Sequence, residues 1–111
     1  MIPITTHVLD TARGAPAAGV SVRLDRLADD AWSEVGAAVT DKDGRARDFA
    51  GEAIPAGTYR LTFDTDRYFA AHSVDSFYPV VQVTFVLRDG STPHHLPLLL
   101  SPYGYSTYRG S

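Results

Sequence analysis

The chain has 111 residues, 44% of them hydrophobic and 21% charged, which suits one compact domain over residues 1–111 and leaves no room for a second. A formal net charge of -3 with no Lys/Arg cluster argues against nucleic acid as a partner, and the lack of cysteine excludes disulfides, thiolate nucleophiles and thiolate metal ligands. Met1 to His7 carry no basic or apolar leader, and no apolar run approaches the ~18 residues that span a bilayer, so the expectation is a cytoplasmic protein without membrane association.

The first predicted strand covers residues 4–10. Alternation there puts Ile4, Thr6 and Val8 on one face and Thr5, His7 and Leu9 on the other, so His7 faces away from the apolar side. By itself that pattern describes an ordinary surface or interface histidine. Arg13-Gly14-Ala15-Pro16 reads as a turn, followed by strands over 19–26 and 32–40 separated by a second turn at Ala28-Asp29-Asp30-Ala31. Asp41-Lys42-Asp43-Gly44 has the opening of a calcium loop, but Arg45 falls at the fifth position and Ala46 replaces the glycine required at the sixth. A tight turn is the better reading. In the strand predicted over 45–49, Arg45 and Arg47 share a face if the stretch is extended, and composition does not choose between them.

Pro55-Ala56-Gly57 introduces a strand over 57–64, where Tyr59-Arg60-Leu61-Thr62-Phe63-Asp64 alternates. Residues 66–72 read as a short helix with Thr65 as its N-cap. The next strand, 79–88, is apolar on nearly both faces, as is Leu98-Leu99-Leu100. Either such runs lie in the middle of a sheet or they are buried in an oligomer. After Asp89-Gly90, strands are predicted over 94–100 and 103–109. His94 and His95 are adjacent and so point to opposite faces, which with the absence of cysteine discounts zinc. Gly104-Tyr105-Ser106-Thr107-Tyr108 misses the nucleophile elbow, because Tyr108 stands where the second glycine belongs and no strand-to-helix context surrounds it.

Eight short strands with regular turns predict an all-β sandwich. Four pieces in chain order add a family resemblance: Thr6-His7-Val8-Leu9-Asp10 with Gly14 and Pro16; Thr40-Asp41-Lys42-Asp43-Gly44-Arg45; Gly57-Thr58-Tyr59 with Phe63; and the run from His95-Leu96-Pro97-Leu98 to Tyr108-Arg109-Gly110-Ser111. Together they resemble the transthyretin-like family, specifically its 5-hydroxyisourate hydrolase branch. Hydrolases of that branch end in Tyr-Arg-Gly-Ser, whereas the hormone carriers continue into an unlike tail.

The resemblance implies a β-sandwich of two four-stranded sheets with one short helix. It also implies a homotetramer, a dimer of dimers, whose central channel holds the sites. The implied reaction is hydrolysis of 5-hydroxyisourate to 2-oxo-4-hydroxy-4-carboxy-5-ureidoimidazoline in urate degradation, with no cofactor and no metal. His7, Arg45, His95 and Tyr108 match the family's functional positions, with Ser111 close by. Pro93 departs from the pattern, since the family usually has a further histidine there.

In that chemistry a histidine accepts a proton from water near neutral pH. His95 is the expected base with His7 as its partner, although the sequence leaves the exchange of roles open. Arg45 orients substrate and stabilises the oxyanion, Tyr108 offers a ring face and a hydroxyl, and Ser111 orders the water or clamps the terminus. The alternative reading is a non-catalytic carrier of small aromatic ligands in the same channel.

Overall fold

The computed structural model describes residues 4–47, 49, 54–89 and 92–110. Among these described residues, nine strands and one helix follow one another in the order β1 (Ile4–Asp10), β2 (Ala15–Pro16), β3 (Ser21–Ala28), β4 (Ala31–Val39), β5 (Arg45–Ala46), β6 (Gly57–Phe63), α1 (Thr65–Ala71), β7 (Val81–Leu87), β8 (His94–Ser101) and β9 (Gly104–Thr107). They form two sheets. One runs β2-β1-β8-β9 with β5 also on β1, and the other runs β4-β3-β6-β7.

Alternation drives the packing. Ile4, Thr6, Val8 and Asp10 of β1 are buried while Thr5, His7 and Leu9 are only partly so. Leu96, Leu98 and Leu100 of β8 extend this buried layer within the same sheet, and Val22 and Leu24 of β3 with Tyr59, Leu61 and Phe63 of β6 supply the core from the other sheet. Thr6 and Asp10 are polar members of this layer; the Thr6 hydroxyl donates to the Leu96 carbonyl at 2.6 Å, and the Asp10 carboxylate accepts the Tyr68 hydroxyl at 2.8 Å.

β1 is the organising strand of the site-bearing sheet. One edge pairs in parallel with β8 over its whole length, from Ile4 opposite His94 to Asp10 opposite Leu100. The other edge is divided, with Thr6 and His7 taking β5 and Leu9 and Asp10 taking β2. That division makes this sheet five-stranded where four were expected. Strand β2 lies inside the segment read as a turn: the Asp10 carboxylate accepts the Ala12 and Arg13 N–H groups, and the reversal returns Ala15 and Pro16 to β1.

Other expectations shift for identifiable reasons. Thr65 is the first residue of α1 rather than its cap; Asp64 occupies the cap without a side-chain bond, and the Thr65 hydroxyl donates instead to the Tyr78 carbonyl at 3.1 Å. The two apolar runs part company. Leu98 and Leu100 lie on β8, inside its sheet, as the mid-sheet reading required. β7 is an edge strand, so that reading fails for residues 80–87, and Val86 remains 49% exposed.

The last strand is also shorter than the expected 103–109. Leu98 pairs with Thr107, the next partner would be Pro97, and proline has no N–H to give the ladder. The Thr107 hydroxyl donates to the Pro97 carbonyl instead, at 2.7 Å. Pairing resumes in the same register as a single bridge between His95 and Gly110.

Candidate active site

The Asp41–Gly44 turn does structural work. Its Asp41 carboxylate accepts the N–H groups of Asp43 at 2.9 Å and Arg45 at 3.0 Å, while the Gly44 N–H donates to the Asp41 carbonyl. These backbone donors, that of Arg45 first, hold the Asp41 carboxyl below its ordinary pKa, and the Arg47 and Arg45 charges add to the effect against a desolvation that opposes it. Gly44 sits at φ +77°, and a Cβ there would run into the Val8 carbonyl oxygen. The turn is thereby pressed onto β1, and the Val8 N–H donates to the Gly44 carbonyl at 2.7 Å.

This docking sets Arg45 directly opposite His7. It also supplies His7 with a partner, since Nε2 lies 2.8 Å from the Asp43 carbonyl. A carbonyl only accepts, so Nε2 carries the proton there, and Nδ1 has no hydrogen-bond partner among the described residues.

On the opposite edge of β1, Thr5 is level with His95 of β8, and the Thr5 hydroxyl lies 2.7 Å from His95 Nδ1. Burial first, then the charges of Arg45 and His7, hold the His95 imidazole below its ordinary 6.5, against a hydrogen bond to the Thr5 backbone that pulls it upward. Its surroundings therefore favour the neutral imidazole. Thr5, Thr6, Arg45, Arg47, Pro93 and His95 line an open hollow of about 380 Å³. Both arginines of the expected pair reach it, and the Arg45 charge disfavours protonation of His95.

The structure brings His7, Arg45 and His95 together. His94, on the other face of β8, is 5% exposed and its Nδ1 meets the Thr92 carbonyl at 2.8 Å. Tyr108 stands apart from the trio within one chain: it is 58% exposed and borders a separate hollow of about 190 Å³ with Val83, Phe85, His94 and Leu96. Ser111 lies outside the described residues. Two neighbours of the site escaped sequence reasoning. Thr5 was placed on the His7 face by alternation, which was the available signal, but nothing local pointed it at a residue 90 positions away. Gly110 donates its N–H to the His95 carbonyl at 2.7 Å, and a Cβ at this position would stand 2.7 Å from His95 Cδ2.

Taken together, His95 and Arg45 offer an imidazole biased toward its neutral form and a fixed positive charge at one open hollow, with His7 on the strand pair that carries Arg45. Those are the parts for activating water and stabilising an oxyanion. The sequence model described as the HIUase/Transthyretin family matches residues 4–110. The chain is 47% identical to the 5-hydroxyisourate hydrolase of Mus musculus, over 98% of this chain and 95% of that protein. It is 45% identical to the 5-hydroxyisourate hydrolase of Caulobacter vibrioides, over the whole of both. Among solved structures, Klebsiella pneumoniae 5-hydroxyisourate hydrolase superposes with a TM-score of 0.86 at 39% identity, covering 97% of this chain and 92% of that one. Transthyretin from Sparus aurata superposes at 0.92 with 31% identity, covering 99% and 97%.

Proposed function

This chain belongs to the HIUase/Transthyretin family, and from that membership and its site chemistry we propose that it hydrolyses 5-hydroxyisourate to 2-oxo-4-hydroxy-4-carboxy-5-ureidoimidazoline, a step of urate degradation. The observation that carries the reading is that His95 and Arg45 line the same hollow, a base whose burial favours its neutral form and an oxyanion partner. His95 takes a proton from water as its oxygen attacks the acyl carbon of the cyclic C–N bond. The guanidinium of Arg45, charged at any relevant pH, orients the planar substrate and stabilises the tetrahedral oxyanion. Collapse breaks the C–N bond, His95 returns its proton to the departing ring nitrogen, and the acyl carbon becomes a carboxylic acid, ionised to the carboxylate, that stays attached to the opened ring. His7 exchanges protons with the site through its Nδ1. No step calls for a cofactor or metal.

The proposed catalytic unit is the single domain over 1–111, working in the cytoplasm as a homotetramer, a dimer of dimers. Supporting the assembly are the exposed Val86 on an edge strand and the exposed Tyr108, both of which a second copy would cover. Tyr108 and Ser111 enter the site in this reading by facing substrate across an interface. Among the described residues, no helix is long and apolar enough to cross a membrane.

The likeness to the transthyretin structure favours a second reading, a non-catalytic carrier of small aromatic ligands. One assay separates the two. Freshly generated 5-hydroxyisourate, followed in the ultraviolet, should disappear faster with catalytic amounts of the protein. Decay at the spontaneous rate would leave the carrier.

A further inference from the structure

We propose that Thr5 is a positioning residue that fixes the tautomer and orientation of His95, presenting Nε2 unprotonated to substrate water. The inference rests on the hydrolase reading and adds to it the choice of base nitrogen. Geometry constrains the ring on two sides. At the Nδ1 corner, the Thr5 hydroxyl is 2.7 Å away, fixed by the parallel register that sets Thr5 level with His95. On the Cδ2 side, Gly110 is so close that a single added methyl group would press on the ring. The Cε1–Nε2 edge is the one left for the hollow, and Nε2 has no hydrogen-bond partner among the described residues.

A hydroxyl both donates and accepts, so its presence alone does not decide where the ring proton sits. The placement of the ring decides it: the Thr5 hydroxyl occupies the Nδ1 corner, so Nε2 is the nitrogen left for water at the hollow, and a base must hold its lone pair there. The neutral ring therefore keeps its proton on Nδ1, the hydroxyl shares that proton as acceptor, and Nε2 holds the lone pair. This is the tautomer a general base needs. Holding a histidine through one nitrogen so that the other can react is a general use of such neighbours.

The test compares Thr5→Val, which keeps the β-branched shape but removes the hydroxyl, with Thr5→Ser, which retains it. Nitrogen NMR on histidine-labelled protein reads the tautomer directly. In the wild type His95 should show a protonated Nδ1 and a bare Nε2. In Thr5→Val the two nitrogens should move toward averaged values, and kcat should fall roughly 10–100-fold, the usual range for losing an orienting partner, with KM nearly unchanged. Thr5→Ser should restore both. A protonated Nε2 in the wild type, or an unaltered spectrum and kcat in a folded Thr5→Val protein, would overturn the proposal. Because the NMR reading needs no substrate, it still judges the role of Thr5 if the wild type proves inactive toward 5-hydroxyisourate, a result that would sink the hydrolase reading instead.

Discussion

His95 works under a constraint that a surface histidine does not have. Partial burial and the neighbouring Arg45 charge both disfavour its protonated form, so its pKa lies below the ordinary 6.5. A base is active when neutral. The acid limb of kcat/KM should therefore lie below pH 6.5, with activity retained as the pH falls through the usual histidine range and lost only beneath it. Arg45→Gln removes a positive charge, so the His95 pKa should rise and the limb move to higher pH, while turnover drops on the order of 10²–10³-fold with the oxyanion partner gone. Arg47→Gln should leave the limb in place, because the charge that disfavours the His95 imidazolium is that of Arg45, whereas Arg47 acts on Asp41. A pH-rate profile of the three proteins checks this, and equal shifts in both variants would show that the hollow responds to net charge alone. His7→Asn and His95→Asn should each stay folded and lose about 10²–10⁴ in rate. Wild-type turnover in either would remove that residue from the mechanism.

Between residue and fold stands the turn over Asp41–Gly44. It contributes no catalytic side chain, but its carbonyls hold His7 and the Val8 N–H, and its exit sets Arg45 across from His7. Gly44→Ala combines a positive φ with a collision against the Val8 carbonyl. The left-handed conformation alone disfavours a side chain by roughly 1–2 kcal/mol, and the collision adds to that. Urea unfolding should show a loss of at least this size, with a larger fractional loss of kcat than a Gly14→Ala protein suffers, since a Cβ on Gly14, at φ +66°, meets nothing within 4 Å. Equal effects of the two substitutions would show that strain alone, and not the placement of Arg45, matters. The motif was legible as a turn from Asp41, Asp43 and Gly44, whose chemistry is local. That the turn docks on β1 was not, because its contacts are made to residues more than thirty positions earlier.

At the scale of the whole molecule, the exposed Val86 on the β7 edge and the exposed Tyr108 beside it are what a lone sandwich would not retain. Light scattering should report four copies, and a stable, active monomer at micromolar concentration would contradict the shared-channel site. Deleting Tyr108 to Ser111 should abolish activity while circular dichroism stays largely unchanged, because the truncation removes Gly110 from the His95 ring but no residue of the core. Full activity in the truncated, folded protein would remove the terminus from the site.

Period-two alternation belongs to each strand alone, so the sequence by itself determined that His7 turns away from Ile4 and Val8, and that His94 and His95 part to opposite faces. The resemblance extended this to His7, Arg45 and His95 as a set. Tertiary structure decided the partners. Every backbone offers the same donors and acceptors, so nothing in Thr5 or in Arg45 specifies which strand it will lie beside. Only the assembled sheet divides one edge of β1 between β2 and β5 and gives the other to β8. It likewise decided which apolar run lies inside a sheet, since Leu98-Leu99-Leu100 and the stretch at 80–87 look alike until strand order makes one interior and the other an edge. The shortened last strand shows both contributions meeting. Pro97 was plain in the sequence, but its missing N–H interrupts a ladder only because folding brings the C-terminal segment alongside it.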